Sequence, residues 1–263
     1  MSVPASFPGG VFVDGALPPH VLEAVWRGTE VSDSRCRTVS SGFAALDAQL
    51  PGAGWPTHSL TELLLPQAAL CEWRLLAPAV TGFLEGGGRI YLVAPPKEPC
   101  AAGLVQLGVE PTQLTWIEAS TPVDRLWVTE QIVKSDPAGA VLAWLPQARP
   151  EQVRRLQVHA AACDAPIFLF RPAASLRDSS PSPLRVAVAP APGWDLEIRI
   201  PKRKGSSLDE AIYVNAMPSN LKSVVPPRLK GSRAASRSVS EAADARTLGR
   251  IPAPTLASVP LPH

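Results

Sequence analysis

The chain has 263 residues, 46% of them hydrophobic, with 30 prolines and a net charge of +2. That is enough apolar material for one core of about 200 residues plus a tail, and no run reaches the roughly 20 uninterrupted apolar residues that a membrane-spanning helix needs. Charge is unevenly spread: residues 1–200 hold 15 basic and 19 acidic side chains, residues 201–263 hold 10 and 4, so a mildly acidic body carries a basic end of the kind that meets nucleic acid, an acidic partner or only solvent.

Residues 1–17 read as a flexible N-terminus with neither a basic region nor an apolar block of the secretory kind, so a cytoplasmic location is expected. Pro18–Gly28 (PPHVLEAVWRG) predicts a short amphipathic helix with Val21, Leu22, Val25 and Trp26 on one face. A second helix, over residues 39–50, would carry Phe43, Leu46 and Leu50, with Ser40 or Ser41 as its cap. The turn 51–55 leads to a strand, Ser59–Leu65, a short loop, and a helix with Leu70, Trp73, Leu75, Leu76, Ala79 and Val80 at helical spacing.

The glycines of Glu85–Arg89 stop that helix. Then strands and helices alternate: strand Ile90–Ala94, helix Ala101–Leu107, strand Leu114–Glu118, helix Pro122–Ser135, strand Ala140–Leu145, helix Pro150–Ala162 and strand Pro166–Phe170. Strands apolar on both faces that alternate with helices predict βαβ units and a mostly parallel central sheet flanked by helices. Leu184–Ala189 and Asp195–Ile200, around Pro-Ala-Pro-Gly-Trp, predict a C-terminal antiparallel hairpin at the sheet edge. Residues 206–218 read as a connecting segment. From residue 219 the chain is rich in Pro, Ser, Ala and Arg and too poor in large apolar side chains to offset the entropy of ordering, so a disordered basic tail is expected.

Strand, loop and helix around residues 59–80 are where an α/β protein places a phosphate-binding loop, G-x-x-x-x-G-K-[ST]. Here the two glycine positions are Leu65 and Leu70, the lysine is Cys71 and the metal-binding hydroxyl is Glu72. Side chains at the glycine positions obstruct the approach of backbone N–H groups to phosphate, nothing offsets the β/γ charge, and Glu72 repels it. No nucleotide, no other cofactor and no metal is expected. The cysteines Cys36, Cys71, Cys100 and Cys163 are far apart and read as isolated thiols. No histidine is placed to activate Ser40 or Ser41, and no carboxylate pair stands out.

Several motifs occur in one order: VSSGFAALDAQLPGAGWPTHSLTELL, the strand–loop–helix, GGGRIYLVAPP, GLVQLGVEPTQLTWIEA and AVLAWLP. Together they resemble the RecA-type recombinase core. Within that superfamily the W-P-x-x-x-L-T-E-L-L run and L-G-V-x-P-x-x-L are more similar to ImuA, the translesion-synthesis-associated family, some of whose members are labelled SulA-like. The resemblance covers residues 18–205 and implies a RecA-like α/β core with a degenerate phosphate loop. The acidic residue expected at the end of the fourth strand falls at Trp144, and the catalytic glutamate falls at Pro95–Pro96.

What the resemblance implies is a non-catalytic accessory protein of SOS-induced translesion DNA synthesis. Its partners would be an ImuB-type Y-family polymerase-like protein, an error-prone DNA polymerase III alpha-type subunit, RecA filaments and DNA. The alternatives are a SulA-like inhibitor of cell division and a divergent DNA-dependent ATPase. The residues singled out for contact are Trp194, at the tip of the hairpin, the cluster Lys202, Arg203 and Lys204, and the tail cations Lys222, Arg228, Lys230, Arg233 and Arg237, which meet phosphate or an acidic surface without sequence selectivity. Trp55, Trp73, Trp116, Trp127 and Trp144 read mostly as packing.

Overall fold

A computed structural model describes residues 37–205, 208–218, 221 and 224–225, all in the unit that begins at Arg37. The expected N-terminal segment 1–17, the expected helix Pro18–Gly28 and, apart from Leu221, Val224 and Val225, the expected tail lie outside the described residues. So do the tail cations Lys222, Arg228, Lys230, Arg233 and Arg237.

Strands β1 (Thr38–Val39) and β2 (Trp55–Pro56) pair antiparallel and enclose α1 (Ala44–Asp47). This helix is shorter than the sequence predicts, and neither serine caps it: its N-cap is Phe43. Ser40 Oγ and the Ser41 amide instead donate to the Asp47 carboxylate at 2.7 and 2.8 Å, which folds the segment into a knot before helix can propagate. Gly42 sits in that knot with φ +80°, and a Cβ there would come within 2.3 Å of Pro78 Cβ. Only glycine meets both conditions.

The main sheet has eight strands: β3 (Leu60–Leu65), β4 (Arg89–Val93), β5 (Leu114–Ile117), β6 (Gly139–Trp144), β7 (Ile167–Pro172), β8 (Leu184–Pro190), β9 (Asp195–Lys202) and β10 (Leu208–Asn215), in the order β10-β9-β8-β3-β7-β6-β4-β5. The run from β8 to β5 is parallel, and β9 and β10 are antiparallel additions. The protein is thus α/β, with a mostly parallel mixed sheet flanked by helices. The crossovers are α2 (Glu72–Glu85), α3 (Ala101–Gln106), α4 (Pro122–Ser135) and α5 (Pro150–Ala160).

Alternate residues of the central strands β3, β4, β6 and β7 feed two cores. Leu63, Leu65, Ile90, Leu92, Leu142, Phe168 and Phe170 pack with α2 on one face; Leu60, Val93, Val141, Ala143, Ile167 and Leu169 pack with α4 and α5 on the other. The all-apolar strands of the sequence are those of a sheet covered on both sides.

Strand β10 falls in the segment that the sequence reads as a connection. Its alternation is hidden by a register shift between Leu208 and Ile212, because a bulge breaks the period of two from which strands are read. Among the described residues, no helix is long and apolar enough to cross a membrane.

Candidate functional site

The loop between β3 and α2 is where the sequence places its phosphate-loop remnant. Leu65 is buried as the last residue of β3, Pro66–Leu70 are exposed, and Cys71 and Glu72 are buried at the start of α2. Ala69 adopts a left-handed conformation, φ +65°, which curls the loop over the helix end. The Glu72 side chain, 3% exposed, turns back into the curl. Its carboxylate accepts from the Ala69 amide (2.6 Å), the Cys71 amide (3.0 Å) and the indole Nε1 of Trp144 (3.2 Å). A carboxylate at a helix N-terminus also meets the favourable end of the helix dipole.

Trp144 ends β6 and stacks on Phe170 of β7, ring centroids 4.3 Å apart at 23°. Two neighbouring strands therefore hold the indole over the loop. The two loop amides and the indole N–H are thus satisfied by the chain's own carboxylate.

Cys71, at the lysine position, supplies no charge. Burial pushes its thiol up, Arg74 draws it down less, and Glu72 adds to the rise; Cys163 is raised by burial, then by Asp164 and Asp136. Both stay protonated at neutral pH, and thiol reactivity follows the thiolate. With Cys36 replaced by serine, a thiol reagent should label exposed Cys100 within minutes in the native protein and reach Cys71 and Cys163 only after unfolding. Native labelling of Cys71 would show that the loop opens.

Of the other singled-out residues, Trp194, Lys202, Arg203 and Lys204 are described, and their surroundings differ. Trp194 is half-buried rather than free at a tip, because the Arg74 guanidinium lies 5.7 Å from its ring centroid. Lys202 Nζ donates to the Ser180 carbonyl at 2.6 Å, and Arg203 reaches the Gln49 backbone and side-chain oxygens. Lys204 is exposed in the turn after β9. A run of three cations in sequence becomes, in space, two structural ties and one solvated charge.

The tryptophans divide. Trp55 and Trp144 are core and Trp73 packs half-buried against it, but Trp116 and Trp127 are 43% and 60% exposed. Trp116 stands on β5, one of the two edge strands of the sheet. Trp127 lies on the outward stripe of α4 with Val123, 74% exposed, because Leu126, Thr129 and Val133 turn the other stripe inward.

A second constellation went unread in the sequence. Glu62, in the middle of β3 and wholly buried, accepts from Arg185 Nε (2.7 Å), Arg171 Nη1 (3.2 Å) and Ser180 Oγ (2.8 Å). Arg185 also donates to the carbonyls of Ser175, Asp178 and Leu176, and Arg171 Nη2 to that of Ala148. The β7–β8 crossover has only a 3-10 turn, Ala173–Arg177, instead of an α-helix, so its carbonyls have few internal partners and Arg185 supplies three of them, while Arg171 ties β7 to the loop between β6 and α5. The signal was a lone glutamate inside LTELLL, since a buried charge demands partners. Register then identifies one partner, because Glu62 lies opposite Arg185.

Between the first turns of α4 and α5 lies a cavity of about 540 Å³, lined by Arg125, Arg149, Gln147, Gln152 and Ser120 over Leu126 and Leu145. Compared with family models and with curated proteins, the chain matches none.

Proposed function

We propose that this chain is a non-catalytic accessory protein of SOS-induced translesion DNA synthesis, with a RecA-like core of the ImuA kind whose phosphate site is closed. The observation that carries the reading is the Glu72 carboxylate, which already holds the two loop amides and the Trp144 indole N–H. A nucleotide would have to expel a buried, hydrogen-bonded carboxylate and then lie beside Cys71 where a lysine is needed. The mostly parallel sheet, with its loop after β3, is compatible with the RecA-type core that the motifs suggest.

In this reading the core survives as a docking frame in the cytoplasm, and its partners are an ImuB-type protein, an error-prone polymerase III alpha-type subunit and RecA. Lys204 and the tail cations contact DNA or an acidic partner, and Arg125 and Arg149 add positive charge at the carboxyl ends of the strands. Calorimetry at millimolar ATP, with and without single-stranded DNA, tests the first half: no saturable heat is expected. A micromolar binding isotherm would overturn the reading in favour of a DNA-dependent ATPase. For the second half, any DNA binding should weaken steeply between 50 and 200 mM salt, by about tenfold or more if several phosphates are neutralised; a flat salt response would exclude an electrostatic contact.

A further inference from the structure

We propose that the loop between β3 and α2 is an oxyanion cradle whose ligand is the chain's own Glu72 carboxylate, and that removing this side chain turns it into a binding site for small carboxylates and inorganic phosphate. The inference concerns the same loop as the functional reading, but it rests on the loop's geometry alone and needs none of the proposed partners.

Three donors from two separate elements converge on one point. The Ala69 and Cys71 amides come from the loop, two residues apart and brought together by the left-handed Ala69. Amides at i and i+2 around such a residue form the concave arrangement that holds anions. The third donor is the Trp144 indole N–H, which arrives from β6 across the sheet. Trp144 is 5% exposed and held by its stack on Phe170, so it cannot turn its N–H to solvent if the carboxylate leaves. Two carboxylate oxygens share the three donors: Oε1 takes Ala69 and Trp144, Oε2 takes Cys71.

The cradle is therefore permanently liganded. Its conformation does not wait for an outside anion, and no outside anion can compete at ordinary concentration with one tethered in place. This differs from a surface glutamate that caps a helix, because that carboxylate is solvated and its loss leaves nothing buried without a partner. Here its loss orphans three donors, and an oxyanion able to reach them restores the bonds.

The substitution Glu72→Ala removes the CH₂–COO⁻ of the side chain, and acetate is that fragment returned from solution. Thermal melts of the full chain would be run in sodium chloride, sodium acetate and sodium phosphate at equal ionic strength. The wild type serves as the reference, because phosphate stabilises most folded proteins by exclusion from their surface. Glu72→Ala should melt several degrees below the wild type in chloride. Its Tm should then rise saturably with acetate, with phosphate or with both, beyond any rise in the wild type; acetate alone marks a cradle shaped for carboxylate, and phosphate one that also admits the tetrahedral ion. Adding Trp144→Phe should weaken the apparent affinity several-fold by deleting one donor.

Glu72→Gln fills the site with a neutral group, so it should melt below the wild type and ignore the anions. If Glu72→Ala does not fold in chloride, its refolded yield in acetate against chloride gives the same readout. Equal behaviour in all three salts after the wild-type shift is subtracted, equal refolded yields, or a Glu72→Gln variant as stable as the wild type would each overturn the proposal. ATP binding by the wild type bears instead on the functional reading, so the two can fail separately.

Discussion

Glu62→Ala should cost about 3–5 kcal/mol, the usual penalty for breaking a buried ion pair from one side. For a folded body of this size that lowers Tm by roughly 6–20 °C. The loss leaves Arg171 and Arg185, both about 5% exposed, without their shared carboxylate; the nearest other one, Asp178, stands 3.6 Å from Arg171 Nη2 and is half exposed. In many proteins a buried ion cluster can be exchanged for apolar side chains of like volume at no cost. That should fail here. Arg185 also donates to three crossover carbonyls and Arg171 to the Ala148 carbonyl in the loop after β6, so an apolar replacement strands backbone acceptors at about 1–3 kcal/mol each. A Glu62→Leu/Arg171→Met/Arg185→Met triple variant should remain well below the wild type in chemical denaturation. If it matches the wild type, the arginines are not what holds the crossover on β3.

The sheet was legible because its strands are apolar on both faces and its helices carry clear starts and stops. Pro122 opens α4 behind the capping Thr121, whose hydroxyl accepts from the Asp124 amide, and the observed helix has the expected ends. Legibility failed where a specific side-chain bond or a break in strand register overrode the regular pattern. The Ser40–Asp47 bond cut α1 to one turn, and the bulge in β10 erased the alternation that marks a strand. Trp116 and Trp127 look like core residues in sequence because tryptophan usually is buried; only the sheet order, which puts β5 at the edge, exposes the first.

The loop was half legible. Its missing glycines and lysine can be read directly, and so can the repulsion of a nucleotide by Glu72. That this carboxylate takes the donors itself depends on Trp144, 72 residues away, and no spacing rule connects the two.

Trp55→Ala should cost about 3–5 kcal/mol, and Trp55→Phe much less, for reasons that volume alone does not supply. Trp55 is fully buried and meets Phe168 edge to face, centroids 5.3 Å apart at 88°, so alanine forfeits both the aromatic contact and a large packed volume. The indole Nε1, however, is buried with no hydrogen-bond partner. A buried donor left unmade already costs the native state about 1–3 kcal/mol. Phenylalanine keeps an aromatic edge against Phe168 and deletes that donor, so part of its cavity penalty is returned. Urea unfolding of the two variants separates these terms. A ratio near that of the volumes removed would mean that the Nε1 group is solvated and costs nothing. Trp127→Ala, on the exposed stripe of α4, is the control for tryptophan as such: it should fall within about 0.5 kcal/mol of the wild type. A large loss there would mean that the outer face of α4 is covered in the folded protein, which would make Val123 and Trp127 the first residues to test for partner contact.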